Sequence, residues 1–139
     1  MSRSDHALQP IGVVKSLLTE LADAPRQGDE GAPDAVLVLD EEFAPALEGV
    51  APGDHVIVLT WLDRADRGVL RVHPRSDPAR PQIGVFATRS PDRPNPIGLH
   101  RVEVLSLDGT LVRVSGLEAI DGTPIIDLKP VLSAEVGER

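Results

Sequence analysis

V-E-V-L-S-L-D-G-T-L-V-R-V-S, Val102 to Ser115, is the stretch that decides the fold. Apolar and polar residues alternate on both sides of Asp108-Gly109, the period of a half-buried strand, and Asp-Gly between two such runs signals a two-residue hairpin. Outward from it the same short apolar runs recur. Ile97 to Leu107 leads in, and I-I-D-L-K-P follows the turn D-G-T-P at 121–124. Upstream, His55 to Leu62 (H-V-I-V-L-T-W-L) is the densest run of strand formers, with a charged exit D-R-A-D-R and a return strand over Gly68 to Val72. Ile83 to Ala87, Ala35 to Leu39 (A-V-L-V-L) and Leu8 to Ser16 complete the set, Pro10 confining the start of the last to an edge or rim. Glu41 to Leu47 makes a short helical turn before Pro52-Gly53, and Leu17 to Asp34 is a long polar loop.

Short strands, long polar loops and almost no helix predict an all-β fold: an antiparallel, roughly seven-stranded closed or nearly closed β-barrel. The expected organisation is a polar lead-in over 1–7, one barrel domain over 8–132 and a polar tail over 133–139. A barrel of this size is filled by its own side chains, so a ligand belongs at the mouth, among the loops.

The chain has 139 residues, 41% of them apolar, yet holds two Phe, one Trp and no Tyr, so Val, Leu, Ile and Ala must fill the core. Without cysteine there are no disulfides or thiolate metal sites, and no apolar run has the length of a membrane span or a secretory segment, so a cytoplasmic protein is expected. The net charge of −8 is unevenly spread. From Arg64 to Arg101 eight arginines face three acids, a balance of +5, which leaves −13 for the remainder. One basic band on an acidic body steers a polyanion to one face.

Within that band, Gly84 to His100 reads G-V-F-A-T-R-S-P-D-R-P-N-P-I-G-L-H. Pro91, Pro94 and Pro96 bias the residue before each away from helix, so the loop is stiff and presents Arg89, Arg93 and Asn95 at low entropic cost. Three further segments are chemically rich: Pro25 to Gln27, Asp63 to Arg67 and D-G-T-P. Other chemistries find little support. The four histidines (His6, His55, His73, His100) lie far apart, no G-x-S-x-G elbow exists, and no G-x-G occurs.

These motifs carry a resemblance. G-V-F-A-T-R-S-P-D-R-P-N-P-I-G-L, the downstream D-G-T-P-I-I-D-L-K-P, and the upstream I-G-V-V-K-S and P-R-Q resemble the barrel-type S-adenosylmethionine-dependent tRNA threonylcarbamoyladenosine N6-methyltransferases, the TrmO/TsaA-like domain, from Ile11 to Pro130. The resemblance implies an antiparallel barrel, a homodimer, S-adenosylmethionine as cofactor, and a tRNA bearing threonylcarbamoyladenosine beside its anticodon as substrate. It places the cofactor at Pro25, Arg26 and Gln27, Asp63 and Arg64, Arg89, Leu99, and Asp121, Gly122, Thr123 and Pro124.

The chemistry of those positions agrees with the cofactor. Arg26 or Arg89 suits its carboxylate, Asp63 or Asp121 its ammonium or ribose hydroxyls, and Gln27, Thr123 and backbone groups near Leu99 and Gly122 the adenine edge. Direct displacement of the methyl group by the substrate nitrogen needs positioning more than base strength. Asp127 or Asn95 is the expected proton acceptor, with Arg93 and Lys129 holding the substrate's carboxylate or a phosphate. This chain departs from the family pattern at Asp63, often His, at Glu118, often Asp, and at Val131, often Tyr. Two other readings keep the same residues: methylation of a small metabolite, and a noncatalytic module that senses S-adenosylmethionine or a nucleotide.

Overall fold

The computed structural model describes residues 6–16 and 34–132. Among the described residues there are eight strands: β1 Gly12–Lys15, β2 Ala35–Leu39, β3 His55–Trp61, β4 Arg71–Val72, β5 Ile83–Gly84, β6 Ile97–Asp108, β7 Leu111–Val114 and β8 Pro124–Pro130. Six of them pair antiparallel in the order β1-β2-β7-β6-β3-β8, and β8 pairs back on β1, so the sheet closes on itself as a ring. The ring therefore holds six strands, not seven. β4 and β5 form a separate two-stranded arm. The return strand expected at 68–72 does not pair with β3, whose two edges are taken by β6 and β8.

Alternation builds the core. Every second residue of β1, β2, β3 and β7 is buried, and Val14, Leu37, Val58, Val104, Val112, Val114 and Ile125 meet inside the ring. In β6 and β8 the alternation breaks where two apolar residues adjoin, and there the ladder bulges. Leu105 is the extra residue between the pairs Val104↔Val114 and Ser106↔Arg113, which lets Leu107 reach the core as Val104 does. Ile126 plays the same part in β8, between the pairs Thr60↔Ile125 and Leu59↔Asp127. The tight turn sits one residue further on than Asp108-Gly109 predicts. Asp108 still pairs with Leu111, so the loop is Gly109–Thr110, with Gly109 first and at φ 60°, where a side chain is strained.

Because neighbours in the ring are antiparallel, the ends of β1, β3 and β7 and the starts of β2, β6 and β8 share one rim. The chain from Ser115 to Thr123 crosses that rim and buries Leu117, Ala119 and Ile120. The interior is thus filled, and a ligand at this end must lie on the outside of the rim.

One polar cluster is sealed behind it. Thr60 Oγ1 and His100 Nε2 are 2.9 Å apart in the interior, with Glu118 Oε1 3.9 Å from Nδ1. That last separation is too long for a hydrogen bond. Nδ1 has no hydrogen-bond partner, and burial pushes the imidazole down to about 4 from its ordinary 6.5. Between those two values the unfolded chain binds a proton that the folded chain refuses. Stability from this group is complete above pH 6.5 and falls as pH drops towards 4, by about 3 kcal/mol at most. Urea midpoints measured from pH 7.5 to 4 should show this slope in the wild type and a shallower one in His100→Gln; equal slopes would show that His100 titrates normally.

Candidate functional site

The loops that leave the rim are tied to one another by side chains. Arg67 Nε donates to Pro94 O at 2.7 Å and Nη2 to Asn95 Oδ1 at 3.1 Å, while its guanidinium carbon lies 5.1 Å from the centroid of the Trp61 ring. Asp66 N donates to Asp92 Oδ1 at 2.9 Å, and Leu62 N to Pro96 O at 2.8 Å. Residues 62–67 and 92–96 consequently form a single wall. On the other side of the rim, Asp121 Oδ1 accepts from Ser16 N at 2.9 Å and Gly122 N donates to Val14 O at 2.7 Å, fixing D-G-T-P against β1.

Two depressions flank these walls. One, of about 280 Å³, is apolar and lined by Leu8, Pro10, Trp61, Pro124 and Ile126. The other, of about 350 Å³, is lined by Lys15, Ser16, Asp34, Ala35, Val36, Arg113 and Asp121, with Arg113 Nη2 held by Asp34 Oδ2 at 3.1 Å.

The fold brings most of the expected cofactor residues to this rim. Asp63 and Arg64 follow β3, Asp121 to Thr123 precede β8 and Pro124 opens it, and Arg89 belongs to the loop that enters β6; Asp63, Arg64, Arg89, Asp121 and Gly122 are exposed. Leu99 lies two residues inside β6 with its side chain 45% exposed. There β6 is paired by β3 on one edge, while β7 joins the other edge only from Val104 onwards, so among the described residues the backbone around Leu99 has an edge with no strand on it. Pro25, Arg26 and Gln27 lie outside the described residues.

Several of the expected residues have partners within the protein. The Arg93 guanidinium is turned onto its own loop. Nη1 donates to Thr88 O and Ser90 O, both at 3.0 Å, and Nη2 to Val85 O at 2.8 Å, so it clamps its own loop. Thr123 is buried and donates its hydroxyl to Ile120 O at 2.6 Å, and the Gly122 N–H is spent on Val14, so neither is free to donate to an adenine edge. Lys129 Nζ lies 3.2 Å from Asp127 Oδ2, and Asp127 Oδ1 accepts from Leu128 N at 2.9 Å. The bulge at Ile126 explains that pair, since past it Asp127 and Lys129 stand on the same outer face. Asn95 presents its amide oxygen to Arg67, which leaves its NH2 group outermost.

Trp61, and the tie that Arg67 makes from a segment already singled out, are what sequence reasoning missed. The signal was present: the only tryptophan of the chain ends the densest strand and runs straight into D-R-A-D-R. What it lacked was the fold, which sets Arg67 against Pro94 and Asn95 from a loop 27 residues away.

The sequence profile of the tRNA-methyltransferase O N-terminal domain matches residues 13–135. The chain belongs to that family. It is 44% identical over 130 residues to a probable S-adenosyl-L-methionine-binding protein of Methanothermobacter thermautotrophicus, covering 94% of this chain and 93% of that protein. An S-adenosyl-L-methionine-binding protein of Archaeoglobus fulgidus is 45% identical over 122 residues, covering 88% of this chain and 86% of that one. Among solved structures, TrmO from Pseudomonas aeruginosa superposes with a TM-score of 0.74 at 32% identity over 95% of this chain. The chain spans 57% of the length of that structure. Family membership agrees with the architecture seen here: a mostly antiparallel ring whose rim loops carry the family's motifs. Among the described residues no helix is long and apolar enough to cross a membrane.

Proposed function

We propose that this rim binds S-adenosylmethionine and that the protein methylates the N6 nitrogen of threonylcarbamoyladenosine beside a tRNA anticodon. The observation that carries the reading is the meeting, on the outside of one rim, of loops far apart in sequence that bear the family's motifs. The donor set fits the cofactor. Exposed carboxylates at Asp63 and Asp121 suit an ammonium or ribose hydroxyls, the exposed guanidinium of Arg89 suits a carboxylate, and the depression under Trp61, Pro124 and Ile126 offers an apolar floor. S-adenosylmethionine, when bound, supplies an electrophilic methyl group that a substrate nitrogen displaces from sulfur.

The chain's own residues position the acceptor and take its proton. Asp127 keeps a carboxylate at the outer face beside β3, balanced by Lys129, and Asn95 stands at the Trp61 end of the same strand through Arg67. Asp127 is the proton acceptor, directly or through water, and Asn95, whose oxygen is held by Arg67, positions the methyl acceptor. Asp127→Asn and Asn95→Ala are each expected to lower turnover about 100-fold at unchanged S-adenosylmethionine affinity; full turnover in both would end the base assignment. A homodimer is part of the reading. The outer faces of β3 and β6 carry Ile57, Leu59, Ile97 and Leu99, and Ile97 and Leu99 are more than 40% exposed. Light scattering should therefore report roughly twice the 14.8 kDa chain mass.

The deciding experiment supplies methyl-labelled S-adenosylmethionine with total tRNA from cells that make, or lack, the threonylcarbamoyl modification. Label confined to the modified pool is expected. Label in neither pool, with the cofactor still bound, would favour a small-molecule acceptor or a sensing role.

A further inference from the structure

We propose that Phe86 is a stacking platform for an unpaired RNA base, held out on a rigid basic arm; this rests on the tRNA reading above. Phe86 is 82% exposed, although the residue before it, Val85, is 2% exposed. A phenyl ring on a loose loop would fold down onto the nearest apolar surface. Here the turn Val85–Ala87 does not allow that. Val85 N donates to Leu70 O at 3.0 Å, and Val85 O accepts from Thr88 N at 3.0 Å, Thr88 Oγ1 at 2.9 Å and Arg93 Nη2 at 2.8 Å. Ser90 N donates to Thr88 Oγ1 at 3.1 Å, and Arg93 Nη1 holds the carbonyls of Thr88 and Ser90. The clamp found for Arg93 is thus the support that keeps Phe86 in water.

Its surroundings select the partner. From Arg71 to Arg89 the chain carries four arginines (71, 75, 80, 89) against Asp77 alone, a balance of +3 in a protein of −8. All four arginines are exposed. The cores of protein interfaces are depleted in charge, so a single ring with Leu70 beside its turn, set among arginines, suits them poorly. A single-stranded nucleic acid requires this combination, a π face for a base and cations for the flanking phosphates. Orientation matters as well: Phe86 lies between β5 and the loop carrying Arg89, next to the expected cofactor wall.

The test uses an RNA hairpin of anticodon-arm size with 2-aminopurine in its loop, titrated with the full chain across a salt series. Stacking should quench the fluorophore. Phe86→Ala is expected to bind roughly tenfold or more weakly and to lose the quench, with an unchanged salt slope and melting temperature, while Phe86→Trp retains both. Arg71→Ala combined with Arg80→Ala should instead flatten the salt slope. Wild-type affinity and quench in Phe86→Ala would overturn the assignment, as would a variant that loses self-association but not RNA. A wild-type chain that binds no RNA would overturn both this inference and the tRNA reading. Retained, Phe86-dependent RNA binding without methyl transfer would sink only the proposed reaction.

Discussion

Gly12→Ala is expected to lose about 3 kcal/mol or more of stability, the upper part of the range for forced overpacking, and to melt more than about 10 °C below the wild type. The cause is close approach and not backbone freedom. A Cβ on Gly12 would run into the carbonyl oxygen of Val38 and lie 2.7 Å from Leu39 Cα, where both obstacles are backbone and cannot rotate away. To make room, β1 must move off β2, to which it is paired from Gly12↔Leu39 to Lys15↔Val36, and the same shift strains its pairing with β8 at Ile125. That junction closes the ring. Gly84→Ala is the control: apart from its chain neighbours, the nearest described atom to its new methyl group is Leu70 O, at 4.0 Å, so its stability should stay within about 0.5 kcal/mol of wild type. Thermal melts of the two variants decide the matter. A Gly12→Ala protein that melts with the wild type would mean that β1 and β2 do not meet as described.

Arg93→Ala should be the most damaging substitution for function among the arginines of the basic band. It removes three charge-assisted hydrogen bonds to the carbonyls of Val85, Thr88 and Ser90; Val85 O keeps Thr88 N and Oγ1, while the carbonyls of Thr88 and Ser90 lose the clamp. Partial exposure lets water replace some of them, so the expected loss of stability is about 2 kcal/mol. Methyl transfer should fall further, about 100-fold or more, because small displacements of positioning loops cost that much in rate. The loop in question carries Arg89 on one side of the clamp and Asn95 on the other. Arg93→Lys restores the charge but places one nitrogen where two are needed, so it should recover only part of the turnover. Turnover in Arg93→Ala within threefold of wild type would show that the loop holds its shape without the clamp.

How legible the protein was in its sequence depended on the distance over which each feature is decided. Ala35–Leu39 and Glu41–Leu47 run where the apolar pattern and the punctuation at Pro52-Gly53 put them. The hairpin at Asp108-Gly109 was legible as a hairpin but not in its register. Asp-Gly favours one turn, yet the cross-strand pair Leu107↔Val112 and the bulge at Leu105 set the loop at Gly109–Thr110. Arg93 had the residue type and setting of a ligand-binding arginine. Nothing local reveals that three of its own loop's carbonyls turn back to meet it. The partners of Thr123 and Lys129 were illegible for the same reason, since side-chain direction and pairing follow from bulges and neighbours that one segment does not contain.

The sequence by itself determined the strands, the stiffness of the proline-rich loop, the basic band and the motifs that mark the family, because spacing, φ restriction and charge are properties of adjacent residues. Only the tertiary structure decided that six strands close into a ring, that Ser115–Thr123 fills its end, and that Arg67 and Trp61 join two distant loops. It also made Arg93 a clamp on its own loop and left Phe86 standing in solvent. The physical reason is common to all of these: they depend on which groups, not adjacent in sequence, the fold brings into contact.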